Sequence, residues 1–283
     1  MPLRIIKADL IESELIKAIG SITFEPDPDI LPTLLRCQKE ETSELAKDVL
    51  NCLVENVHCA KEDSIPLCQD TGTLVVFIQL GSNVHIEGAS LNKIVNMALE
   101  KAYEKYYLRA SQVIDPLYKR INTANNTPAI IHLRLTEGDQ IRILIGQKGG
   151  GAENMSRLKM FPPSASEDDI VAYVLETVQL AGSKACPPLV VGIGIGGNFE
   201  SCALLAKEAL FQPLQHPNPH PEYNMLEQRI LKVINESGIG PQGMGGHTTA
   251  LAVHILTAPC HIASLPVAVN LQCHAHRHTE ITI

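Results

Sequence analysis

The amino-acid sequence predicts a mixed α/β fold, with mixed sheets, surrounding helices and a helical N-terminal segment. Roughly the first 63 residues carry apolar positions at intervals of three and four, as amphipathic helices do. Beyond them, short apolar runs rich in β-forming residues alternate with further helical patterns. With 283 residues, 45% of them hydrophobic, the chain can bury a sizeable core. We therefore expect one domain over residues 1–283, with the helical segment 1–63 inside it.

Periodicity assigns the elements of the first half in order. Two amphipathic stretches predict helices in the N-terminal segment, IIKADLIESELIKAIGSI and SELAKDVLNCLVENVHCAKE. The short apolar run TLVVFIQL predicts a strand over residues 73–80, and LNKIVNMALEKAYEKYYL predicts a helix after it. The next segment, PAIIHLRLTEGDQIRILIGQKGG, has two alternating runs around Glu137, Gly138 and Asp139, which is typical of a β-hairpin.

The second half combines strands, helices and Gly-rich loops. Helices are predicted in SEDDIVAYVLETVQLAG, with Ser166 as N-cap, and around YNMLEQRILKVINESG. Strands are predicted in CPPLVVGIG and LPVAVNLQ. The glycines gather in GGGAENMSR, GIGIGG and GIGPQGMGGH, which all lie where strands end. Loops in such positions are where binding and catalytic residues concentrate.

Composition excludes two classes of function. A formal charge of -8, with 4% aromatic residues and no tryptophan, does not fit a nucleic-acid partner, which needs basic and stacking side chains. No apolar stretch reaches the ~18 uninterrupted residues of a membrane span. The N-terminus lacks the pattern of a secretory signal, so we expect a cytoplasmic protein whose eight cysteines are thiols or ligands.

The hexapeptide CHAHRH, residues 273–278, raises the question of a metal site. If 267–278 formed one strand, Cys273 would face away from the three histidines, so the hexapeptide alone would not converge on a metal. The histidines are then interpreted as a polar chain end. Cys273 is distinguished because Cys68 and Cys186 also lie beside predicted strands, so that three thiols are expected at sheet rims.

The remaining cysteines are interpreted as structural, with one left open. Cys52 and Cys59 are spaced at i and i+7 and are expected to share an apolar helix face, while Cys37 and Cys202 also lie in helical patterns. Cys260, in the loop sequence APCHIASLP, cannot be assigned from its pattern. From spacing alone the ligand set stays undecided.

The segment GIGIGG, residues 192–197, satisfies the G-x-G-x-x-G pattern of dinucleotide sites and stands between a predicted strand and a helix. A dehydrogenase is therefore a formal alternative. The acidic residue expected about 20 residues further on is missing, because that region is FQPLQHPNPHP. The glycines are better explained by tight packing.

Several separate motifs in a fixed order carry a resemblance to a known family. They are PLCQDTG, YLRASQVIDPLYKRINTANNTPAIIH, KGGGAENMSRLKM, ACPPLVVGIGIGG, GIGPQGMGGHTTALAVHI and HIASLPVAVNLQCHAHRH. Together they resemble the α subunit of class I, iron-sulphur fumarate hydratases, from about residue 5 to the end. The same superfamily contains the L-tartrate dehydratase α subunit, so the motifs identify the superfamily more specifically than they identify the substrate.

The resemblance implies a 4Fe-4S cluster held by Cys68, Cys186 and Cys273. Three thiolates suit such a cluster and leave one iron open to act as a Lewis acid on a substrate oxygen. The implied function is the reversible hydration of fumarate to L-malate, with L-tartrate dehydration as the alternative. From another class, a non-catalytic iron-sulphur protein would require a fourth ligand, for which Cys260 is the candidate.

The resemblance also implies roles for residues around the cluster. Asp70 and His261 are expected to transfer protons, and each has a simpler interpretation, a turn residue for Asp70 and a loop residue for His261. The expected substrate-binding residues are Gln69, Arg109 and Gly151, although Arg109 alone would be interpreted as a solvated charge near a helix end. An arginine fork is suited to bind a carboxylate.

The resemblance further implies a separate β subunit. Single-chain members of the family carry an additional domain that completes the site, and this sequence stops soon after Cys273. We expect an α2β2 assembly acting on a small dicarboxylate. Fumarate is favoured over tartrate by GMGGHTTALAVHI and LPVAVNLQCHAHRH, although His247 stands where fumarases usually have a basic residue.

Overall fold

A computed structural model describes residues 3–283, which form two compact units. Unit 1 contains the residues up to Asp27, together with Cys59–Gly149 and Arg277–Ile283. Unit 2 contains Pro28–His58 and Gly150–His276. The mixed α/β class is confirmed, whereas the single domain over residues 1–283 stays a prediction.

The eight α-helices of the described residues confirm the helical character of the N-terminal segment and the predicted helices after it. They are Ala8–Phe24 (α1), Ile30–Glu40 (α2), Glu44–Asp63 (α3), Leu91–Lys105 (α4), Gly150–Glu153 (α5), Glu167–Ala181 (α6), Phe199–Ala209 (α7) and Pro221–Asn235 (α8). Two short 3₁₀ helices span Gly182–Ala185 and Pro241–Gly243. Within residues 3–283, no helix is long and apolar enough to cross a membrane.

Ten strands form the sheets of the described residues. They are Arg4–Lys7 (β1), Thr73–Gly81 (β2), Val84–Glu87 (β3), Ile130–Thr136 (β4), Ile141–Lys148 (β5), Arg157–Phe161 (β6), Leu189–Gly196 (β7), Ala250–Ala258 (β8), Leu265–Gln272 (β9) and His278–Thr282 (β10). The short strands β1 and β3, which pair in parallel, were not indicated by the sequence patterns.

The sheet of unit 1 has the order β10-β5-β2-β4, so the predicted hairpin of residues 128–150 is wrong. Both strands exist, but β2 lies between them, parallel to β4 and antiparallel to β5. Residues Leu74–Ile78 of β2 are all buried, and a strand that is buried on both faces occupies a central position. The turn at Glu137–Asp139 therefore connects two strands that lie on either side of β2, and the two strands do not form a hairpin.

The core of unit 1 lies between this sheet and helices α1 and α4. Ile11, Leu15 and Ile19 of α1 are fully buried at a spacing of four, as the sequence pattern predicts. They pack in one cluster with Leu99 of α4 and Ile143 of β5. This core extends along strands β2 and β5.

Unit 2 contains a second sheet with the order β6-β9-β7-β8. Strands β7 and β8 are parallel, and β9 is antiparallel to β7. Alternation along β7 directs Val191 and Ile193 into the core formed with α6 and α8. Gly192 and Gly194 therefore face the opposite side, where α7 packs.

The glycines of GIGIGG serve the packing of α7 on β7. A Cβ atom on Gly192 would stand 2.2 Å from the carbonyl oxygen of Ala206, and one on Gly194 would stand 2.2 Å from that of Cys202. Both positions thus exclude any side chain. The close packing of α7 on β7 therefore explains the glycines of GIGIGG, and no bound dinucleotide is needed to account for them.

The start of α6 confirms a predicted cap in detail. The Ser166 hydroxyl accepts a hydrogen bond from the Asp169 N–H, and the Asp169 carboxylate accepts one from the Ser166 N–H. This reciprocal pair satisfies two N–H groups that the first turn would otherwise leave open.

Candidate functional site

Two of the three predicted cluster cysteines lie at the same end of the unit 2 sheet. Val190 of β7 is paired with Gln272 of β9, so the residues before β7 and those after β9 share one rim. Cys186 stands just before β7, and Cys273 directly follows β9. Cys186 is exposed and Cys273 is half-buried.

The backbone of Cys186 adopts an uncommon conformation. Its φ and ψ are 54° and 63°, the left-handed region, which residues other than glycine, asparagine and aspartate rarely adopt. The Cys186 carbonyl oxygen lies 3.1 Å from Nδ1 of His274, the residue after Cys273. Strained residues are retained mostly where function fixes them, so the position of this thiol is itself a functional indication.

The CHAHRH segment is not a continuous strand. Strand β9 ends at Gln272, and β10 begins at His278 in unit 1. The interpretation of its histidines as a polar chain end is wrong, because His276 is 0% exposed and His278 is 9% exposed. His278 Nε2 lies 3.3 Å from the Asp27 carboxylate. The last residue of the segment, His278, begins β10, which pairs antiparallel with β5.

Gly151 lies in the short helix α5 at the same rim as Cys186. A Cβ atom on Gly151 would stand 3.1 Å from the carbonyl oxygen of Lys184, two residues before Cys186. The absence of a side chain therefore brings α5 against the segment that leads to this cysteine. This packing contact accounts for the glycine whether or not its N–H binds a substrate.

A third loop, residues 240–249, reaches this rim and is held by Glu41, which the sequence analysis missed. The Glu41 carboxylate is 3% exposed and accepts hydrogen bonds from the N–H groups of His247 and Thr248 at 2.9 and 3.1 Å. Its second oxygen accepts from the N–H groups of Thr42 and Ser43. Burial raises the pKa of Glu41, but these hydrogen bonds outweigh it and lower the pKa overall.

We expect Glu41→Gln to lower the free energy of unfolding by about 2 kcal/mol at pH 7, because charge-assisted hydrogen bonds become neutral ones. A lowered folded-state pKa stabilises the protein above the ordinary glutamate pKa, and this contribution disappears as pH falls through the folded-state value. Urea unfolding should therefore show a smaller difference in the free energy of unfolding between the wild type and Glu41→Gln at about pH 3 than at pH 7. The exposed neighbour Glu40→Gln is the control, and equal effects of both variants would contradict this role.

In unit 1, Cys68, Gln69 and Asp70 occupy the loop between α3 and β2. The N–H of Leu67 donates to the carbonyl oxygen of Thr23 in α1 at 2.9 Å, which fixes the start of this loop. The Asp70 Oδ1 atom accepts from the N–H of Gly72 at 2.9 Å, so the turn interpretation of Asp70 is correct. The same carboxylate lies over Gly149, where an added Cβ would stand 3.3 Å from Oδ2.

Arg109 stands on a loop that hydrogen bonds attach to the Asp70 segment. The Thr71 hydroxyl donates to the Arg109 carbonyl oxygen at 2.7 Å. The buried Asn126 side chain donates to the Gly72 carbonyl oxygen and accepts from the Ser111 N–H. The Arg109 side chain is exposed and makes no hydrogen bond or ion pair in the described part of the chain. Its guanidinium is therefore open to bind an anion near Asp70.

Arg277 is a second residue that the sequence analysis did not assign. It is 1% exposed, and its Nη2 donates to the carbonyl oxygen of Asp70 at 2.9 Å. Its own carbonyl oxygen accepts from the N–H of Gln147 in β5. Nothing in the segment CHAHRH indicates that this arginine is buried, because the burial of a charged side chain leaves no local sequence pattern.

His261 is not brought next to Cys186 and Cys273. It lies in the loop between β8 and β9, at the opposite end of the unit 2 sheet. The eight residues of β9 span roughly 25 Å. The side chain is exposed, and its Nδ1 accepts from the Ala263 N–H at 3.1 Å, which leaves the proton of the neutral ring on Nε2.

The remaining cysteines divide into two groups. Cys202 is fully buried, and burial raises its pKa to about 11, as expected of an inert structural thiol. Burial likewise raises the pKa of Cys37. Cys52 and Cys59 are exposed, so their placement on an apolar helix face is wrong. The buried face of α3 is formed by Ala46, Leu50, Leu53, Val54, Val57 and Ala60. Cys260 is exposed in the loop of His261.

The donor set at these loops fits an iron-sulphur cluster better than a single ion. Among residues 3–283, no group of three or more His, Cys, Asp or Glu side chains converges to hold one metal ion. A cluster does not require such convergence, because each thiolate binds a different iron. None of Cys68, Cys186 and Cys273 is in a disulfide; Cys186 is exposed and the other two are half-buried. Within unit 1, the buried Arg277 contacts the carbonyl of Asp70, two residues after Cys68.

Comparisons with known proteins identify the family of the chain. The family model described as Fumarate hydratase (Fumerase) matches residues 12–282. A protein of Methanocaldococcus jannaschii named putative L(+)-tartrate dehydratase subunit alpha is 41% identical over 257 residues, covering 88% of this chain and 89% of its own length. The L(+)-tartrate dehydratase subunit alpha of Escherichia coli K12 is 32% identical over 263 residues, covering 92% of this chain and 86% of its own length.

Proposed function

Because the chain belongs to the fumarate hydratase (Fumerase) family, we propose that it is the α subunit of a 4Fe-4S hydro-lyase that acts on a four-carbon dicarboxylate. The observation that carries the proposal is the placement of thiols on strand-end loops beside groups suited to bind carboxylates. The favoured reaction is the reversible hydration of fumarate to L-malate. The names of the relatives favour L-tartrate dehydration as the second candidate.

The cluster ligands are Cys68 from unit 1 and Cys186 and Cys273 from unit 2. Each unit supports its own part of this set: Cys186 and Cys273 lie at the same end of the unit 2 sheet, and in unit 1 Cys68 lies two residues before Asp70, whose carbonyl Arg277 contacts. A cluster with three thiolates supplies an open iron, which acts as a Lewis acid towards the substrate hydroxyl and one carboxylate.

Substrate binding falls to Arg109, Gln69 and Gly151. Arg109 is exposed, and the Thr71 hydroxyl holds its backbone. Its planar fork can bind both oxygens of a carboxylate. Gln69 provides an amide next to Cys68, and Gly151 provides a backbone N–H that no side chain obstructs.

Asp70 is the proton-transfer group within this chain's own loops. One carboxylate oxygen is held by the Gly72 N–H, which fixes the direction of the side chain. A carboxylate held in one orientation could accept or return the proton that the reaction moves. The same hydrogen bond keeps the group in place when its protonation changes.

His261 stays a predicted proton-transfer residue, but it lies far from Cys186 and Cys273 within unit 2. Its loop is separated from Cys186 and Cys273 by the length of β9 within unit 2. A histidine acts by direct contact or through one water, so it cannot serve the cluster thiols of its own unit. Any role of His261 in the reaction requires that it completes the site of a second copy of the chain.

A separate β subunit completes the proposed enzyme, in an α2β2 assembly. The relatives are named as α subunits of a dehydratase, which implies a partner for them. A four-carbon dicarboxylate has two carboxylates to neutralise, and Arg109 is the one substrate-binding cation proposed here. We expect the isolated chain to hold a cluster with little or no turnover.

Anaerobic reconstitution with iron and sulphide tests this proposal. A 4Fe-4S cluster that yields a 3Fe-4S paramagnetic resonance signal on mild oxidation, and recovers with iron and reductant, would support an open iron. Co-expression with a β subunit of the tartrate dehydratase type should then give hydration of fumarate, dehydration of L-tartrate, or both. The ratio of kcat/KM for the two substrates assigns the reaction.

Two results would overturn the proposal in different ways. A chain that binds no cluster would remove the hydro-lyase mechanism. A cluster without an oxidation-labile iron, dependent on Cys260 and inactive with the partner, would establish the non-catalytic iron-sulphur alternative.

A further inference from the structure

Arg277 is a buried cation that the proposed reaction does not use. Its side chain is among the largest fully buried ones of the molecule, at 1% exposure. One nitrogen, Nη2, donates to the Asp70 carbonyl oxygen at 2.9 Å. The other two, Nε and Nη1, are buried and have no hydrogen-bond partner among the residues that the structure describes.

A guanidinium in this state is energetically unfavourable unless another group satisfies it. Removing a charge from water costs several kcal/mol, and a buried donor without an acceptor adds a further penalty. Arginine side chains keep their charge in folded proteins, so the cost remains. Buried donors without a partner are rare in folded proteins, and a bound water, ion or other group outside the chain is one explanation for them.

The surroundings of Arg277 place it beside the Asp70 loop. Burial raises the pKa of Tyr103 in this region, and the charge of Arg277 is close enough to lower it while that of Asp70 raises it. The Tyr103 hydroxyl lies within 3.3 and 3.4 Å of the carbonyl oxygens of Thr71 and Gly72. Asp70 contributes its carbonyl, and its Oδ1 already accepts from Gly72.

Two anions belong to the proposed function, the cluster with its thiolates and the dicarboxylate substrate. The substrate comes and goes, which would leave Arg277 buried and unsatisfied during every cycle. A resident cofactor satisfies the guanidinium at all times. Full burial also fits a permanent neighbour, whereas the exposed Arg109 fits an exchanging ligand.

We propose that Arg277 donates hydrogen bonds to the sulphur atoms of the iron-sulphur cluster while it holds the Asp70 carbonyl. It is a positioning residue that couples the cluster to the loop of the proton-transfer group, and its charge sets the reduction potential of the cluster. This inference rests on the proposed function. Hydrogen bonds to sulphur and nearby charge are established determinants of cluster potential.

The test compares Arg277→Gln and Arg277→Lys with a matched control, Arg142→Gln. Arg142 lies on β5 in the same sheet and pairs with Glu280 at the surface, so its loss removes the same charge without a buried contact. Each full-length protein is reconstituted anaerobically, and the cluster potential and the rate of iron release to a chelator are measured. Circular dichroism of the apo-proteins verifies folding.

We expect Arg277→Gln to shift the potential to more negative values, because a positive charge favours the reduced, more negative cluster. Iron release should accelerate by about 10-fold or more, as for other outer-shell contacts. Arg277→Lys should lie between the wild type and Arg277→Gln, and Arg142→Gln should match the wild type.

The outcomes separate the two claims. If the wild type binds a cluster and both Arg277 variants keep its potential and iron-release rate, Arg277 does not contact the cluster, while the proposed function stands. If the wild type binds no cluster, both claims fail. A shift of the same size in Arg142→Gln would show a general charge effect and would also overturn the role of Arg277.

Discussion

Replacement of Cys68, Cys186 or Cys273 by serine, one at a time, is expected to abolish cluster-dependent activity. A serine hydroxyl is a poor ligand for iron at neutral pH, whereas a thiolate is the ligand that iron-sulphur clusters use. Each variant should lose the 3Fe-4S signal, and its activity with the partner subunit should fall by at least about 10³-fold, the scale at which the Lewis-acid contribution disappears.

The other cysteines of the chain provide controls for this experiment. Cys260→Ser changes an exposed loop thiol, and Cys52→Ser changes an exposed thiol on α3. Both variants should keep the cluster and the activity. A cluster that survives Cys186→Ser but not Cys260→Ser would contradict the proposed ligand set.

Asp70→Asn is expected to lower kcat by about 10²- to 10⁴-fold while the cluster remains bound. The asparagine Oδ1 can still accept the hydrogen bond from the Gly72 N–H, so the loop should keep its conformation. What the variant loses is the ability to take up and release a proton. Paramagnetic resonance and steady-state kinetics on the same preparation separate these two effects.

Asp139→Asn is the matched control for this variant. Asp139 is exposed and lies in the turn before β5, at the other end of the strand from Gly149. It should not change kcat. Loss of the cluster in Asp70→Asn, or unchanged kcat with the cluster present, would show that Asp70 serves only the turn.

Local patterns were sufficient for most helices and strands of the fold, but not for their pairing. The periodicity of α1 and the cap at Ser166 depend on near neighbours in sequence, and both are present as expected. Which strand pairs with β5 depends on which strand is most buried. The position of β2 between β5 and β4 is not visible in the sequence around either strand. The same applies to β10, because the sequence pattern of residues 267–278, which end in CHAHRH, did not separate it from β9.

The candidate site shows the same division. Motifs pointed to Cys68, Cys186 and Cys273, whose positions at strand ends agree with the sequence patterns. Glu41 and Arg277 were missed because their importance lies in burial and in hydrogen bonds to distant backbone groups. No residue type or spacing near them carries that information.

The composition of unit 1 from both ends of the chain has a consequence for biosynthesis. Its sheet is complete only when β10, residues His278–Thr282, joins β5, and the chain segment that carries Cys273 and Arg277 comes immediately before this strand. Pairing over such sequence separation is slow, and β10 cannot pair with β5 until residues 278–282 have been synthesised and have left the ribosome. Completion of the unit 1 sheet is therefore a late event in folding, and Arg277, which directly precedes β10, reaches the Asp70 loop only at that stage.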